Sequence, residues 1–173
     1  MKIAIISDTH DNVPNLEKFL AWAKENKIEQ IIHCGDLCAP SILKNILAPE
    51  FAGRIHMVYG NVEDRVLVKE VAAHFPQVKH YGDVGKITLD GKHIAFVHYP
   101  KEAKELAQSG KYDMVFYGHT HKPWEETVSL GFKTQANCRV VNPGTLAGLF
   151  SKATFAVWDT VSGELELKIL ERL

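Results

Sequence analysis

The sequence predicts an α/β fold built on buried, largely parallel strands, and three observations carry that prediction. Five short apolar runs, Ile3 to Ile6, Gln30 to Cys34, His56 to Tyr59, Ile94 to Val97 and Met114 to Tyr117, have the length and the Ile and Val content of buried strands. In the N-terminal half these runs alternate with apolar patterns of helical period, the signature of successive βαβ units. The second half turns to strand pairs joined by short turns, so the chain needs two sheets or one large mixed sheet.

Each element follows from local pattern. After the first run, Leu16, Phe19, Leu20 and Ala23 fall at i, i+3, i+4 and i+7, with Pro14 near the expected helix start and Asn26 near its end. Ile42, Leu43, Ile46 and Leu47 make a second apolar face after Pro40, and Leu67, Val71 and Phe75 a third before Pro76. Each helix follows a strand and a polar loop, so loops 8 to 12, 35 to 40 and 60 to 64 are expected on one edge of a parallel sheet. Farther on, strands 86 to 90 and 92 to 97 flank Asp90-Gly91, a strong two-residue turn signal. A short helix over 101 to 109, a strand ending at Gly118 and a hairpin-like region from Trp124 to Val141 come next. The last pair, Thr154 to Asp159 and Glu164 to Leu170, closes around Ser162-Gly163. With no internal repeat or linker, residues 1 to 173 are expected to form one domain.

Bulk properties exclude several function classes. A chain of 173 residues with 46% hydrophobic content has a sizeable core, since about 150 residues already bury roughly 70% of their unfolded surface. Twenty basic against 21 acidic residues give a formal charge of -1, which offers no broad footprint for long nucleic acid or an anionic membrane. The first apolar run breaks at Ser7-Asp8, short of the roughly 7 to 15 residue core of a secretory signal. No stretch approaches the roughly 18 apolar residues of a membrane span, so a cytoplasmic protein is expected. Cys34, Cys38 and Cys138 form no CxxC pair and read as reduced, packing thiols, with Cys38 close enough to Asp36 to line a site.

The chemistry concentrates where the five runs end. They lead to Asp8-Thr9-His10, Gly35-Asp36, Gly60-Asn61, His98 and Gly118-His119-Thr120-His121. Taken singly, Asp8 reads equally as a helix cap, and Gly35-Asp36 and Gly60-Asn61 as ordinary turns. Two imidazoles directly after a buried strand and a glycine have little packing purpose, and five such ends in order point to one metal site. Asp, Asn and His donors without thiolate suit Mn first, with Ni, Fe, Co or Zn as alternatives. Seven candidates, Asp8, His10, Asp36, Asn61, His98, His119 and His121, exceed the needs of one tetrahedral ion and suit two divalent ions sharing a carboxylate. Two such cations outweigh the charges of Asp8 and Asp36, leaving a positive site that would hold a phosphate anion and acidify a bridging water. His33, His56, His74, His80 and His93 lack motif partners, with His80 assigned to a loop, and Trp22, Trp124 and Trp158 read as core or rim packing.

The order D-x-H, G-D, G-N, H, G-H-x-H from Asp8 to His121 resembles the calcineurin-like metallophosphoesterases. The small size and Asn142-Pro143-Gly144-Thr145 look like their compact single-domain bacterial and archaeal phosphodiesterase branch. The resemblance implies a four-layer αββα sandwich with two facing mixed sheets and a dinuclear centre between loops. Asp8, His10, Asp36 and His121 would hold one ion, and Asp36, Asn61, His98 and His119 the other. It further implies hydrolysis of small phosphoesters, nucleotide-derived ones among them, by attack of the bridging hydroxide in line with the departing oxygen.

Two departures qualify that expectation. Where the wider family follows G-N with a histidine that protonates the leaving group, this chain has Val62, then Glu63. General-acid help is worth roughly 10² to 10⁴ in rate, so leaving groups that depart unaided are favoured. His98 is followed by Tyr99-Pro100, where compact relatives often show His-Gly. Glu63 or Asp64 is the candidate for orienting a ligand histidine from behind. A metal-binding scaffold resembling the retromer scaffold subunit is the alternative function, a nuclease for long duplex DNA ranks third, and a homo-oligomer is left open.

Overall fold

The first apolar run forms strand β1 (Lys2–Ile6), and its alternation sorts the core into layers. Ala4 and Ile6 point one way, into a cluster with Leu16, Phe19, Leu20 and Ala23 of helix α1 (Val13–Glu25). Ile3 and Ile5 point the other way, into a cluster with Ile94, Phe96, Met114 and Phe116 of a second sheet. A strand covered on both faces has no reason to carry polar residues, which is why the run reads as continuously apolar. In a computed structural model that describes residues 1–129 and 137–173, this double burial recurs along the chain.

Sheet A has the order β11-β10-β1-β2-β3-β4, comprising β1, β2 (Gln30–His33), β3 (Arg54–Met57), β4 (Val78–His80), β10 (Thr154–Asp159) and β11 (Leu165–Ile169). Strands β1 to β4 are parallel, while β10 joins β1 antiparallel and carries β11 as the outer edge. Sheet B has the order β5-β6-β7-β9-β8, from β5 (Gly85–Leu89), β6 (Lys92–Phe96), β7 (Met114–Phe116), β8 (Trp124–Ser129) and β9 (Asn137–Asn142). Here β6, β7 and β9 are parallel and the two edge strands antiparallel.

Helices complete the outer layers. Asn12 caps α1 through its side chain, which accepts from the Asn15 amide, and Asn26 closes the other end. The segment after Pro40 is helical as α2 (Pro40–Ile42), a π-helical turn over Leu43–Leu47 and α3 (Ala48–Glu50). Leu43 and Leu47 are fully buried, and Ile42 and Ile46 pack beside them. Helix α4 (Arg65–Ala73) is capped by Asp64, and α5 (Pro100–Gln108) lays Ala103 and Ala107 on the far face of sheet B. Helices, sheet A, sheet B and α5 make the four-layer αββα sandwich.

Two local readings change. The expected face of α4, Leu67, Val71 and Phe75, gives way to Val68 and Ala72 as the buried pair, with Leu67 48% exposed. Asp64 fixes the rotation by accepting from the Val66 and Leu67 amides, and the small Ala72 lets the helix lie close. Val71 and Phe75 flank that contact at the rim of the core. His80 lies in β4 and not in a loop, for a three-residue strand after Pro76 gives too short a period to read. In the region from Trp124 to Val141, β8 and β9 pair antiparallel as expected, while its middle, 130 to 136, falls outside the described residues. The Asp90-Gly91 turn takes positive φ at both positions, 48° and 75°, as a tight two-residue hairpin requires.

Candidate metal centre

Six parallel strands, β1, β2, β3, β6, β7 and β9, deliver their C-terminal loops to one edge of the sandwich, where the two sheets face each other. The loops are pinned before any side chain is considered. The Asp8 amide donates to Gly35 O at 3.0 Å and the His10 amide to Asp36 O at 3.1 Å. Thr145 Oγ1 donates to Asp8 O at 2.9 Å, and Asn142 Nδ2 to Gly118 O at 2.9 Å, so Asn142 and Thr145 brace the first and fifth loops. Asp8, His10, Asp36, His119 and His121 all hold positive φ, between 40° and 68°. Left-handed backbone is costly for non-glycine residues and concentrates where a fold over-determines a functional geometry.

All seven sequence candidates meet on this edge. Ligand atoms of Asp8, His10, Asp36 and His121 lie within 4.8 Å of one another. His10 Nε2 is 3.1 Å from His121 Nε2 and 3.6 Å from Asp36 Oδ2, and His121 Nε2 is 3.2 Å from Asp8 Oδ1. On the other side, His98 Nε2 and His119 Nδ1 each approach Asn61 Oδ1 at 3.0 Å, and His98 Nε2 lies 3.4 Å from Asp36 Oδ2. Asp36 stands between the two groups. Its Oδ1 accepts from the Asn61 amide at 2.7 Å and the Val62 amide at 3.3 Å, which leaves Oδ2 facing imidazoles on both sides.

Close approach of backbone makes this geometry depend on two glycines. A Cβ on Gly60 would sit 2.0 Å from Asp36 Oδ1, and one on Gly118 1.9 Å from Ser7 Oγ. The G-N and G-H doublets are therefore packing requirements as well as turns.

The donor set fits divalent cations. Asp8 Oδ1 is buried and has no hydrogen-bond partner among the described residues, an orphaned oxygen directed at His10 and His121. Cys34 O lies 2.8 Å from His98 Nδ1 and accepts its proton, so in the neutral tautomer the Nε2 lone pair points at the oxygens of Asn61 and Asp36. Lone pairs facing one another at hydrogen-bond distance need a positive charge between them. Without a cation, the crowded groups perturb one another's titration. Burial holds the Asp8 carboxyl above its ordinary range, against the Ser7 hydrogen bond and the His98 and His121 charges. At Asp36 burial is outweighed by the His98 hydrogen bond and charge and by the Asn61 amide, so its carboxyl lies low. Burial would lower His98, but the hydrogen bond and charge of Asp36 prevail and raise it.

The remaining candidates have other roles. Glu63 touches no histidine: Oε1 accepts from the Leu37 amide at 3.0 Å and Oε2 from the Gly60 amide at 2.7 Å, tying together the loops that carry Asp36 and Asn61. Asp64 serves as the α4 cap. Val62 is 45% exposed beside Asn61 and offers no proton. His33 accepts from the Gly35 amide at Nδ1, and its Nε2 lies 3.2 Å from Thr9 Oγ1, so burial keeps it neutral with its pKa lowered to about 3. Cys38 Sγ lies 3.5 Å from His10 Nδ1, and its thiol is pushed up to about 12, chiefly by burial and then by the Asp11 and Asp36 charges. Cys34, Cys38 and Cys138 are all free thiols. Two aromatic rings, from Tyr99 and Phe150, flank the histidines. Tyr99 stands edge-on to His119 at 4.8 Å between centroids, and Phe150 lies at 26° to the His121 ring with centroids 6.2 Å apart.

Known proteins resemble this chain in sequence and fold. The model of the calcineurin-like phosphoesterase superfamily domain matches residues 1–163. A phosphodiesterase of Methanocaldococcus jannaschii is 31% identical over 175 residues, covering 99% of this chain and all of that protein. A solved archaeal phosphodiesterase superposes with a TM-score of 0.86 at 30% identity, over 98% of this chain and 99% of the other. The Escherichia coli phosphoesterase YfcE gives 0.68 at 17% identity, covering 98% and 100%. Vps29 of Entamoeba histolytica, solved with Zn²⁺, gives 0.68 at 16%, covering 97% of each chain, and at that identity the likeness concerns the fold. Among the described residues no helix is long and apolar enough to cross a membrane.

Proposed function

The chain belongs to the calcineurin-like phosphoesterase superfamily, and on that premise we propose that this metal-dependent phosphoesterase hydrolyses small phosphodiesters, nucleotide-derived ones included, using two divalent cations. The observation that carries the two-cation reading is the position of Asp36, whose Oδ2 lies 3.6 Å from His10 Nε2 and 3.4 Å from His98 Nε2, between two separate donor groups. Asp8, His10, Asp36 and His121 would hold one ion, and Asp36, Asn61, His98 and His119 the other, with Mn the first choice and Ni, Fe, Co or Zn behind it. When bound, such ions acidify water to a nucleophile and offset the charge of the phosphoryl oxygens.

The chain's own residues then set the reaction's character. The Asn61 and Val62 amides fix Asp36 through Oδ1 and keep Oδ2 free to be shared. Asn61 contributes a neutral oxygen, so the donor set carries only two carboxylates and favours an anionic substrate. Val62 supplies no proton, which favours diesters whose leaving group departs unaided. The 31% identical phosphodiesterase supports the diester preference. A weakly catalytic scaffold remains the second reading because of Val62.

Metal analysis of the purified protein, followed by turnover of bis-(p-nitrophenyl) phosphate and p-nitrophenyl phosphate with added Mn, tests this. The diester is expected to be the better substrate. Asp36→Ala should cut its turnover by at least about 10²-fold with an unchanged circular dichroism spectrum. Two bound ions without turnover of either ester, with any divalent metal, would instead favour the scaffold.

A further inference from the structure

Phe150 is 99% exposed, and its backbone holds φ at 61°. A single exposed aromatic is ordinary on a protein surface, but a bulky side chain in the left-handed region is not. The segment that carries it is tied to the metal centre on both sides: Ser151 Oγ donates to His121 O at 2.8 Å, and His121 Nδ1 faces Leu149 O at 3.4 Å. The outcome is a phenyl ring laid nearly parallel to the His121 imidazole, at 26°, and open to solvent. Burial therefore does not explain the ring's placement, and a strained backbone presents it beside a candidate ligand.

We propose that Phe150 is a specificity-determining residue, a stacking platform for a planar ring carried by the phosphodiester, whether nucleobase or aryl group. The inference rests on the phosphodiesterase reading and names the chemistry of the group next to the phosphorus. With the phosphoryl at the carboxylate and imidazole donors, a ring on one ester arm reaches the rim, where Phe150 offers a π-face that accepts any base without hydrogen-bond readout. Tyr99, standing edge-on to His119, borders the other half of the same rim, so both histidines of the last motif have an aromatic neighbour. An alkyl arm gains nothing from such a surface.

Diphenylphosphinate and dimethylphosphinate separate the arms from the phosphoryl, because they share one charge and resist hydrolysis. Calorimetric titration of the Mn-loaded protein should show tighter binding of the diphenyl probe. Phe150→Ala should weaken that binding about tenfold, leave dimethylphosphinate unchanged, and be reversed in Phe150→Tyr. Equal losses for both probes, or no loss, would overturn the platform while bis-(p-nitrophenyl) phosphate turnover by the parent protein keeps the phosphodiesterase reading standing. If the parent protein binds neither probe and cleaves no diester, both ideas fall together.

Discussion

Val62 occupies a place where a proton donor changes which substrates a phosphodiesterase can use. Its amide already holds Asp36 Oδ1, so the backbone is positioned and only the side chain is inert. Val62→His is expected to raise kcat/KM for diesters with alkoxide leaving groups by about 10²-fold, at the low end of general-acid help, and to leave p-nitrophenyl esters little changed. A series of leaving groups of graded basicity checks this: the dependence of rate on leaving-group pKa should flatten in the variant. At this scale the meeting of the seven residues was legible because each lies within a few residues of a strand end. Phe150 was not, since its significance comes from a ring 29 positions earlier in the chain, and no local pattern marks it.

Between residue and molecule, loops act in pairs. Glu63 bonds the Leu37 amide with one oxygen and the Gly60 amide with the other, joining the β2 and β3 loops. Removing the carboxylate leaves two partly buried amides unpaired, at a cost of about 1–3 kcal/mol. Glu63→Ala should therefore lower the melting temperature and, by loosening the mounts of Asp36 and Asn61, weaken Mn binding by about 10- to 100-fold. Calorimetric titration with Mn beside a thermal scan separates the two effects, and an unchanged metal affinity would confine Glu63 to stability. The strand-loop-helix units were legible because double-sided burial writes continuous apolar runs and α1 keeps a clean helical period. The rotation of α4 was not, because the Asp64 cap and the small Ala72 decide it against the larger Leu67. The length of β4 escaped for a related reason: its partner β3 creates it, and three residues contain no period of their own.

Across the whole molecule, two sheets pressed face to face leave polar groups with few exits to water, and the histidines record this. His56 on β3 is 7% exposed, with Nε2 2.7 Å from Gln30 Oε1 and Nδ1 2.9 Å from Tyr81 OH. A neutral ring satisfies both partners, donating to Gln30 and accepting from Tyr81. Burial first, then the Arg54 and Lys79 charges, lowers its pKa from 6.5 to about 4. In the unfolded chain His56 takes up its proton near 6.5, whereas the folded chain resists until about 4, so stability is intact above that window and falls as pH drops through it. The loss amounts to roughly 3 kcal/mol once pH is below the folded value. His80, also lowered to about 4 by burial, adds to the same trend. Urea unfolding of chelator-treated protein at pH 7 and pH 4 isolates this from metal release. His56→Gln should lower stability at pH 7 through lost packing, yet narrow the difference between the two pH values by most of that amount. An equal pH difference in parent and variant would mean that acid attacks the fold elsewhere, with the Asp8 and Asp36 edge the next place to look.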